Sequence, residues 1–145
     1  MAVYLSSFND NEMSKSAHDE LAAKLERSTL ATSVAVSGVG SRLYQGACAV
    51  CHEIGGPVLF GSRPSLALNS NLHSATPGNL IRVILDGIPS PAFSDLGYMP
   101  GFKDSMNTEQ VVELVSYLRQ KFAPDKPPWK DVLAAVHKAR RASYD

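Results

Sequence analysis

The spacing of apolar residues along the chain predicts helices rather than strands. The strongest helical pattern covers residues 107–122, where Asn107 is a suitable N-cap and Gln110 stands three positions later, as in a capping box. A second pattern has Thr76 as its N-cap, and Gly87 ends it at a position that favours a left-handed residue. Because no segment shows the alternation of a half-buried strand, the pattern indicates an all-α fold.

Three weaker patterns complete the helical prediction. They cover 17–28, 37–46 and the segment from Val132 to about Arg141. Between the stronger helices, residues 88–106 contain three prolines and no helical period, so we expect a loop there. A loop this long in a chain of 145 residues needs something to pack against.

Length and charge exclude several functional classes. The 145 residues suit one domain, and 14 basic residues balance 14 acidic ones. There is therefore no overall electrostatic attraction to nucleic acid or to an anionic membrane. No run approaches the roughly 20 apolar residues of a membrane-spanning helix. The first eight residues also lack the basic segment of a secretory signal.

Both cysteines of the chain lie in one short motif, Cys48-Ala49-Val50-Cys51-His52. Two thiols one helical turn apart can reach the two vinyl groups of a haem, and the histidine that follows can bind its iron. A structural zinc site would need a second Cys/His pair of suitable spacing, and a thioredoxin-type dithiol would need a βαβ setting. The motif therefore predicts one covalently bound haem c with His52 as an iron ligand.

The second iron ligand has several candidates in the sequence. Met99 is favoured because it stands in a loop bounded by Gly97 and Gly101, directly before the strongest helix. Met106 lies at the start of that helix, where a packing role is the ordinary interpretation. His73 is the next alternative because it lies in a predicted loop. The remaining candidates are Met13, His18 and His137.

Residues 37–122 resemble a class I cytochrome c. The resemblance rests on Gly40-x-x-Leu43-Tyr44 before the haem motif, Pro64-Ser65-Leu66 after it, Met99-Pro100, and Leu114-x-x-Tyr117-Leu118. It implies that Gly40 admits the final haem-packing helix, with Tyr117 as the matching aromatic residue. It also implies that the carbonyl of Pro64 accepts a hydrogen bond from the ring of His52. The residues it places around the haem are Tyr44, Arg63, Pro64, Leu66, Tyr98, Phe102 and Tyr117.

A narrower resemblance is to the haem modules of three-haem cytochrome subunits that serve membrane-associated bacterial dehydrogenases. Quinoprotein alcohol dehydrogenases and molybdenum hydroxylases of the nicotinate dehydrogenase kind use such subunits. The segments that carry it are Pro64-Ser65-Leu66-Ala67, Asn79-Leu80-Ile81-Arg82-Val83-Ile84-Leu85-x-Gly87 and Met99-Pro100-Gly101-Phe102. This chain departs from that pattern in having a single haem motif and no signal peptide.

The start of the chain suggests how that departure arises. Ala2-Val3-Tyr4-Leu5 is similar to Val115-Ser116-Tyr117-Leu118, so we expect the chain to be the last module of a longer subunit. The predicted organisation is the tail of a preceding haem module at 1–8, a linker with a short helix at 9–36, a cytochrome c domain at 37–122, and an extension with an amphipathic helix at 123–145.

The resemblance implies one-electron transfer rather than enzymatic catalysis, because iron bound by both His52 and Met99 has no open site. Electrons would come from a dehydrogenase subunit or a preceding haem and pass to a quinone, an oxidase or another cytochrome. We expect this in the periplasm, at the outer face of the bacterial inner membrane, with membrane association only through partners or missing parts of a longer chain. The alternative is a gas sensor or peroxidase-like enzyme with an open sixth site, which requires that Met99 does not bind.

The extension after residue 122 carries an apolar stripe of its own. Val132, Leu133 and Val136 follow Trp129 at spacings of three, four and seven, which would put all four on one helical face. The favoured prediction is that this face folds back on the haem domain. The alternative is that it docks on a dehydrogenase, with Trp129 as the anchor.

Overall fold

The computed structural model describes residues 15–31, 38–53, 65–90 and 98–142. In these ranges the chain forms seven α-helices and one short 3-10 helix, and no strand. The helices are α1 (Lys15–Ala31), α2 (Val39–Ala47), α3 (Ala49–His52), α4 (Ser70–His73), α5 (Gly78–Asp86), α6 (Thr108–Phe122) and α7 (Val132–Ala142), and the 3-10 helix (Leu66–Leu68) precedes α4. The predicted all-α fold is confirmed.

The crossing of α2 and α6 forms the centre of the core. Tyr44 of α2 is fully buried, and its ring packs against those of Tyr117 and Phe122 on α6. Helix α6 begins as predicted, because Asn107 and Gln110 exchange two hydrogen bonds of 2.8 Å between side chain and backbone. The buried residues shared by these helices and α5 include Leu80, Ile81, Ile84, Leu85, Val111, Leu114, Val115 and Leu118.

Helix α5 begins one residue later than the sequence predicts. Pro77 holds the N-cap position, and its carbonyl accepts the first helical hydrogen bond from Ile81 at 2.9 Å. The backbone carbonyl of Thr76 accepts a bond from the Ser74 hydroxyl instead, so Thr76 is not the cap of this helix. The other end is as predicted, since Gly87 has φ 73° and leaves the helix in the left-handed region.

Helix α7 packs against α5 and α6, in agreement with the favoured prediction for the extension. Val132, Val136 and Ala139 are buried, but half of Leu133 is exposed to solvent, so its predicted place on the apolar face is wrong. The predicted spacing starts at Trp129, which lies before the helix begins. The Trp129 ring instead stacks 4.3 Å from the guanidinium of Arg119.

Several predicted features lie outside the described ranges. These are the segment 1–8, part of the predicted loop 88–106, and the candidate residues Met13, Arg63 and Pro64. Within the described ranges, no helix combines the length and the apolar character needed to cross a membrane.

Candidate haem site

The two cysteines and the histidine of the motif are arranged on a single turn. Helix α2 ends at Ala47, and α3 follows after Cys48. The backbone N–H groups of Cys51 and His52 both donate to the carbonyl of Cys48, at 3.0 and 2.9 Å. Cys48 is buried, Cys51 is half-buried, and neither is in a disulfide. Two free thiols and an imidazole are therefore presented by one compact turn, as haem attachment requires.

A cavity of about 520 Å³ opens beside this turn. One wall comes from the haem motif and the helix before it, and the other comes from the segment that leads into α6. The lining residues are Leu43, Gly46, Ala47, Val50 and Cys51 on the first wall, and Tyr98, Pro100, Phe102, Ser105 and Met106 on the second. These side chains are mostly apolar, so the residues present fit a large hydrophobic cofactor tethered at Cys51.

The predicted second ligand lies beside this cavity rather than on its wall. Tyr98 and Pro100, the neighbours of Met99, line the cavity, but Met99 is half-buried and does not. Met106 lines the cavity and is only 6 % exposed. Met106 belongs to the buried core, which agrees with the packing interpretation, and its place on the cavity wall adds to that role.

The three histidines considered as alternatives to Met99 lie on helices α1, α4 and α7. The Nε2 atom of His73 lies 2.9 Å from the carbonyl of Ala67, which engages one of its two ring nitrogens. His137 is exposed on α7, and His18 belongs to α1. Neither His73 nor His137 lines the cavity.

The backbone of Met99 is hydrogen-bonded to the segment that directly follows α5. Met99 and Ile88 exchange two backbone hydrogen bonds, of 2.8 and 3.1 Å. A Cβ atom added at Gly87 would lie 2.6 Å from the nitrogen of Gly101, and one added at Gly101 would lie 2.7 Å from the carbonyl oxygen of Leu85. Two glycines thus permit this close approach. The pairing of Ile88 with Met99 has no counterpart in the sequence analysis.

Three of the residues implied by the resemblance pack in the core rather than on the cavity wall. Tyr44, Tyr117 and Leu66 are buried, and none of them lines the cavity. The Tyr44 ring lies 5.5 Å from that of Tyr117 and 5.6 Å from that of Phe122. Tyr98 and Phe102 do line the cavity, as the resemblance implied.

An ion pair joins the haem motif to α6 beside these rings. The Nζ atom of Lys121 lies 2.8 Å from the Glu53 carboxylate and 4.5 Å from the centre of the Tyr44 ring. Lys121 lowers the pKa of Glu53, mainly through this hydrogen bond. Burial, followed by the charge of Glu53, raises the pKa of Tyr44, so its phenol stays protonated. Lys121 and Glu53 carried no signal in the sequence.

The alternatives to haem fit the motif less well. Burial raises the pKa of Cys48 to about 11, with a smaller contribution from Cys51. Such a thiol stays protonated at neutral pH, whereas redox dithiols work through a thiolate. In the ranges described, the His, Cys, Asp and Glu side chains form no group of three or more placed to hold a metal ion. The geometry therefore favours haem attachment over a zinc site or a redox dithiol.

Comparison with known proteins gives a consistent result. A nicotinate dehydrogenase subunit from Pseudomonas putida is 55% identical over 102 residues, which is 70% of this chain and 9% of that protein. The cytochrome c subunits of alcohol dehydrogenase (quinone) from Gluconacetobacter polyoxogenes and Komagataeibacter europaeus are 30% identical over 114 residues, which is 77% of this chain. The chain spans only about a quarter of the length of these two relatives, as 24% of each is covered.

A family model matches residues 38–118, which is more than half of the chain. Its description is cytochrome c oxidase, cbb3-type, subunit III. The match begins just before α2 and ends within α6, so it contains the haem motif and both walls of the cavity. Together with the relatives, it supports electron transfer rather than enzymatic catalysis, and it implies haem c as the cofactor. The chain therefore belongs to the cytochrome c family, with the cbb3-type subunit III domain as its match.

Proposed function

We propose that Cys48 and Cys51 attach one haem c through two thioether bonds, and that His52 and Met99 are its axial ligands. The observation that carries the proposal is the cavity of about 520 Å³, on whose wall Cys51 lies. The chemistry that the haem supplies is the reversible gain and loss of one electron at its iron. The apolar side chains of Leu43, Val50 and Phe102 would exclude water from it.

The case for Met99 rests on its backbone. The two hydrogen bonds to Ile88 and the close packing at Gly87 and Gly101 hold this residue at a constant place beside the cavity. A thioether held in this way would favour the ferrous state. Met106 is the competing thioether because it already lines the cavity.

We further propose that the chain relays electrons from a dehydrogenase to a respiratory acceptor in the periplasm, at the outer face of the inner membrane. The names of the relatives support this direction, since one is a nicotinate dehydrogenase subunit and two are cytochrome c subunits of quinone-linked alcohol dehydrogenases. The donor would be a dehydrogenase subunit or a preceding haem, and the acceptor a quinone, an oxidase or another cytochrome.

The proposal is tested on the chain produced together with haem-attachment machinery. Mass spectrometry should find one haem on the wild type and none on the Cys48→Ala/Cys51→Ala variant. The ferric spectrum should be low-spin, with the weak long-wavelength band of a sulfur–iron bond. Met99→Ala should become high-spin, bind carbon monoxide and fall in potential, whereas Met106→Ala and His73→Ala should stay low-spin.

Other outcomes would redirect the proposal. Loss of the sulfur–iron band in Met106→Ala, but not in Met99→Ala, would transfer the ligand role to Met106. A high-spin wild type that binds carbon monoxide readily would favour the open-site alternative, a gas sensor or a peroxidase-like enzyme.

A further inference from the structure

Residues 98–106, which supply the second wall of the cavity, form hydrogen bonds with two helices, α5 and α7. On one side, the N–H groups of Phe102 and Lys103 donate to the carbonyls of Ile84 and Leu85 in α5, at 2.9 and 3.1 Å. These bonds fix the start of the segment. They do not involve the carbonyls of Lys103 and Met106.

Arg140 of α7 supplies the second side. Its Nη1 atom donates to the carbonyl of Lys103 at 2.9 Å, and its Nη2 atom donates to the carbonyl of Met106. The planar guanidinium thus spans the turn from Lys103 to Met106 with two separate donors. Its Nε atom is buried and makes no hydrogen bond among the described residues.

The position of Arg140 depends on the packing of α7. Val136 is fully buried and Ala139 nearly so, on the face of α7 directed at the domain. Arg82 of α5 also donates to the carbonyl of Ala139, at 3.4 Å. Helix α7 begins 14 residues beyond the end of the family match at 118, so this support comes from outside the matched domain.

We propose that Arg140 is a positioning residue: by binding the carbonyls of Lys103 and Met106, it holds the cavity wall in place and keeps the reduction potential of the haem high. This inference rests on the proposed function, since it concerns the potential of the haem that the cavity is proposed to hold. It adds to that function a role for the C-terminal extension.

Two effects of Arg140 act in the same direction. Its half-buried guanidinium places a positive charge on the backbone of a cavity-lining residue, and a positive charge disfavours the ferric state, which carries one more positive charge than the ferrous state. Water near the haem stabilises the ferric state, because it solvates the additional positive charge. A wall held in place limits the access of water and therefore favours the ferrous state. Removing Arg140 should therefore lower the potential.

The test compares Arg140→Gln and Arg140→Lys with Arg141→Gln in the haem-loaded protein. Arg141 is the exposed neighbour on the same helix, so its substitution removes a charge without touching the wall. The readouts are the reduction potential, the rate at which the ferrous protein binds carbon monoxide, and the thermal midpoint.

In Arg140→Gln we expect a roughly tenfold shift of the redox equilibrium towards the ferric state, about 59 mV for one electron, and faster carbon monoxide binding. Arg140→Lys keeps the charge but lacks the planar pair of donors, so it should bind carbon monoxide faster with a smaller fall in potential. Arg141→Gln should match the wild type in both readouts.

A lower thermal midpoint with unchanged potential and carbon monoxide binding would reduce Arg140 to a merely structural residue and overturn the inference. If Arg140→Gln does not fold, Arg140→Lys takes its place in the test. A lower thermal midpoint of Arg140→Lys with unchanged potential and carbon monoxide binding would then overturn the inference. A wild type without covalent haem would overturn the proposed function itself, which separates the two failures.

Discussion

Gly40 and Tyr117 bring α2 and α6 into backbone contact. A Cβ atom at Gly40 would lie 2.7 Å from the Cβ atom of Tyr117, and closer still to the carbonyl oxygen of Glu113. The helices can therefore cross at this point only because position 40 has no side chain. Since α2 leads directly into Cys48, this crossing also sets where the haem motif lies relative to the core.

Substitution of Gly40 should therefore disturb the whole domain. In Gly40→Ala the methyl group meets backbone that cannot yield, so we expect a loss of about 2–3 kcal/mol in the free energy of unfolding. Denaturant titration of the haem-loaded protein measures it. Gly38→Ala is the control, because a Cβ there meets nothing within 4 Å. Equal stability of the two variants would mean that the crossing tolerates a wider separation.

The close contact of Gly87, at the end of α5, with residues 99–101 leads to a second prediction. Gly87→Ala forces a left-handed conformation on alanine and brings its Cβ against Gly101, at a cost of roughly 2–4 kcal/mol. We expect a lower thermal midpoint and a weaker sulfur–iron band, because the loop is displaced from α5. Gly78→Ala, at the open start of the same helix, should leave both unchanged. An intact band in Gly87→Ala would argue that Met99 is not a ligand or that its loop has another anchor.

A buried arginine fastens the extension to the haem domain. Arg119 donates to the carbonyls of Leu72, Ser74 and Pro127 and stacks on Trp129, which itself donates to Ser74 at 3.0 Å. Arg119→Gln would leave the buried carbonyl of Leu72 without this donor and remove the stacking on Trp129, so we expect a loss of about 2–3 kcal/mol in the free energy of unfolding. Arg42→Gln, on an exposed surface, should change stability by less than about 0.5 kcal/mol. The measurement is the denaturation midpoint of each variant. Equal midpoints for Arg119→Gln and Arg42→Gln would contradict the prediction.

Truncation after Phe122 extends the same reasoning to the whole extension. It removes Trp129 and the apolar face of α7, so it should lower the thermal midpoint and alter the haem spectrum. A truncated protein with the stability and spectrum of the full chain, but slower reduction by its dehydrogenase, would favour the docking interpretation of the extension instead.

Local signals predicted the five longer helices well, but they missed α4, so His73 lies on a short helix and not in the predicted loop. The capping residues of α6, the left-handed Gly87 and the apolar stripe of α6 are each determined within a few neighbouring positions, so the sequence contains them in full. The start of α5 was missed because Pro77 and Thr76 both suit a helix start, and the choice depends on a hydrogen bond from Ser74. The exposure of Leu133 was missed because the helix begins only at Val132.

The cavity wall was less predictable because its determinants are distant in sequence. The pairing of Ile88 with Met99 and the bond from Arg140 to Lys103 join positions 11 and 37 residues apart, and no periodicity records either. Met106 carries an ordinary packing signal and yet lines the cavity. The haem motif itself was predictable because its chemistry requires adjacent residues.

The last prediction concerns the chain without haem. The cavity of about 520 Å³ is bounded by apolar side chains, so without a cofactor it would leave a void or fill with water, and either is costly. The core that α2, α5, α6 and α7 share would then have to oppose the entropy of ordering the long loops without the apolar contacts of the haem. We expect Cys48→Ala/Cys51→Ala to be colourless and to lose most of its helical circular dichroism, since the cofactor completes the core. Cys51→Ser, which keeps one attachment point, should retain partial haem and intermediate structure. A cooperative thermal transition in the haem-free double variant, close to that of the loaded wild type, would show that the helices hold the fold by themselves and that the haem is peripheral to it.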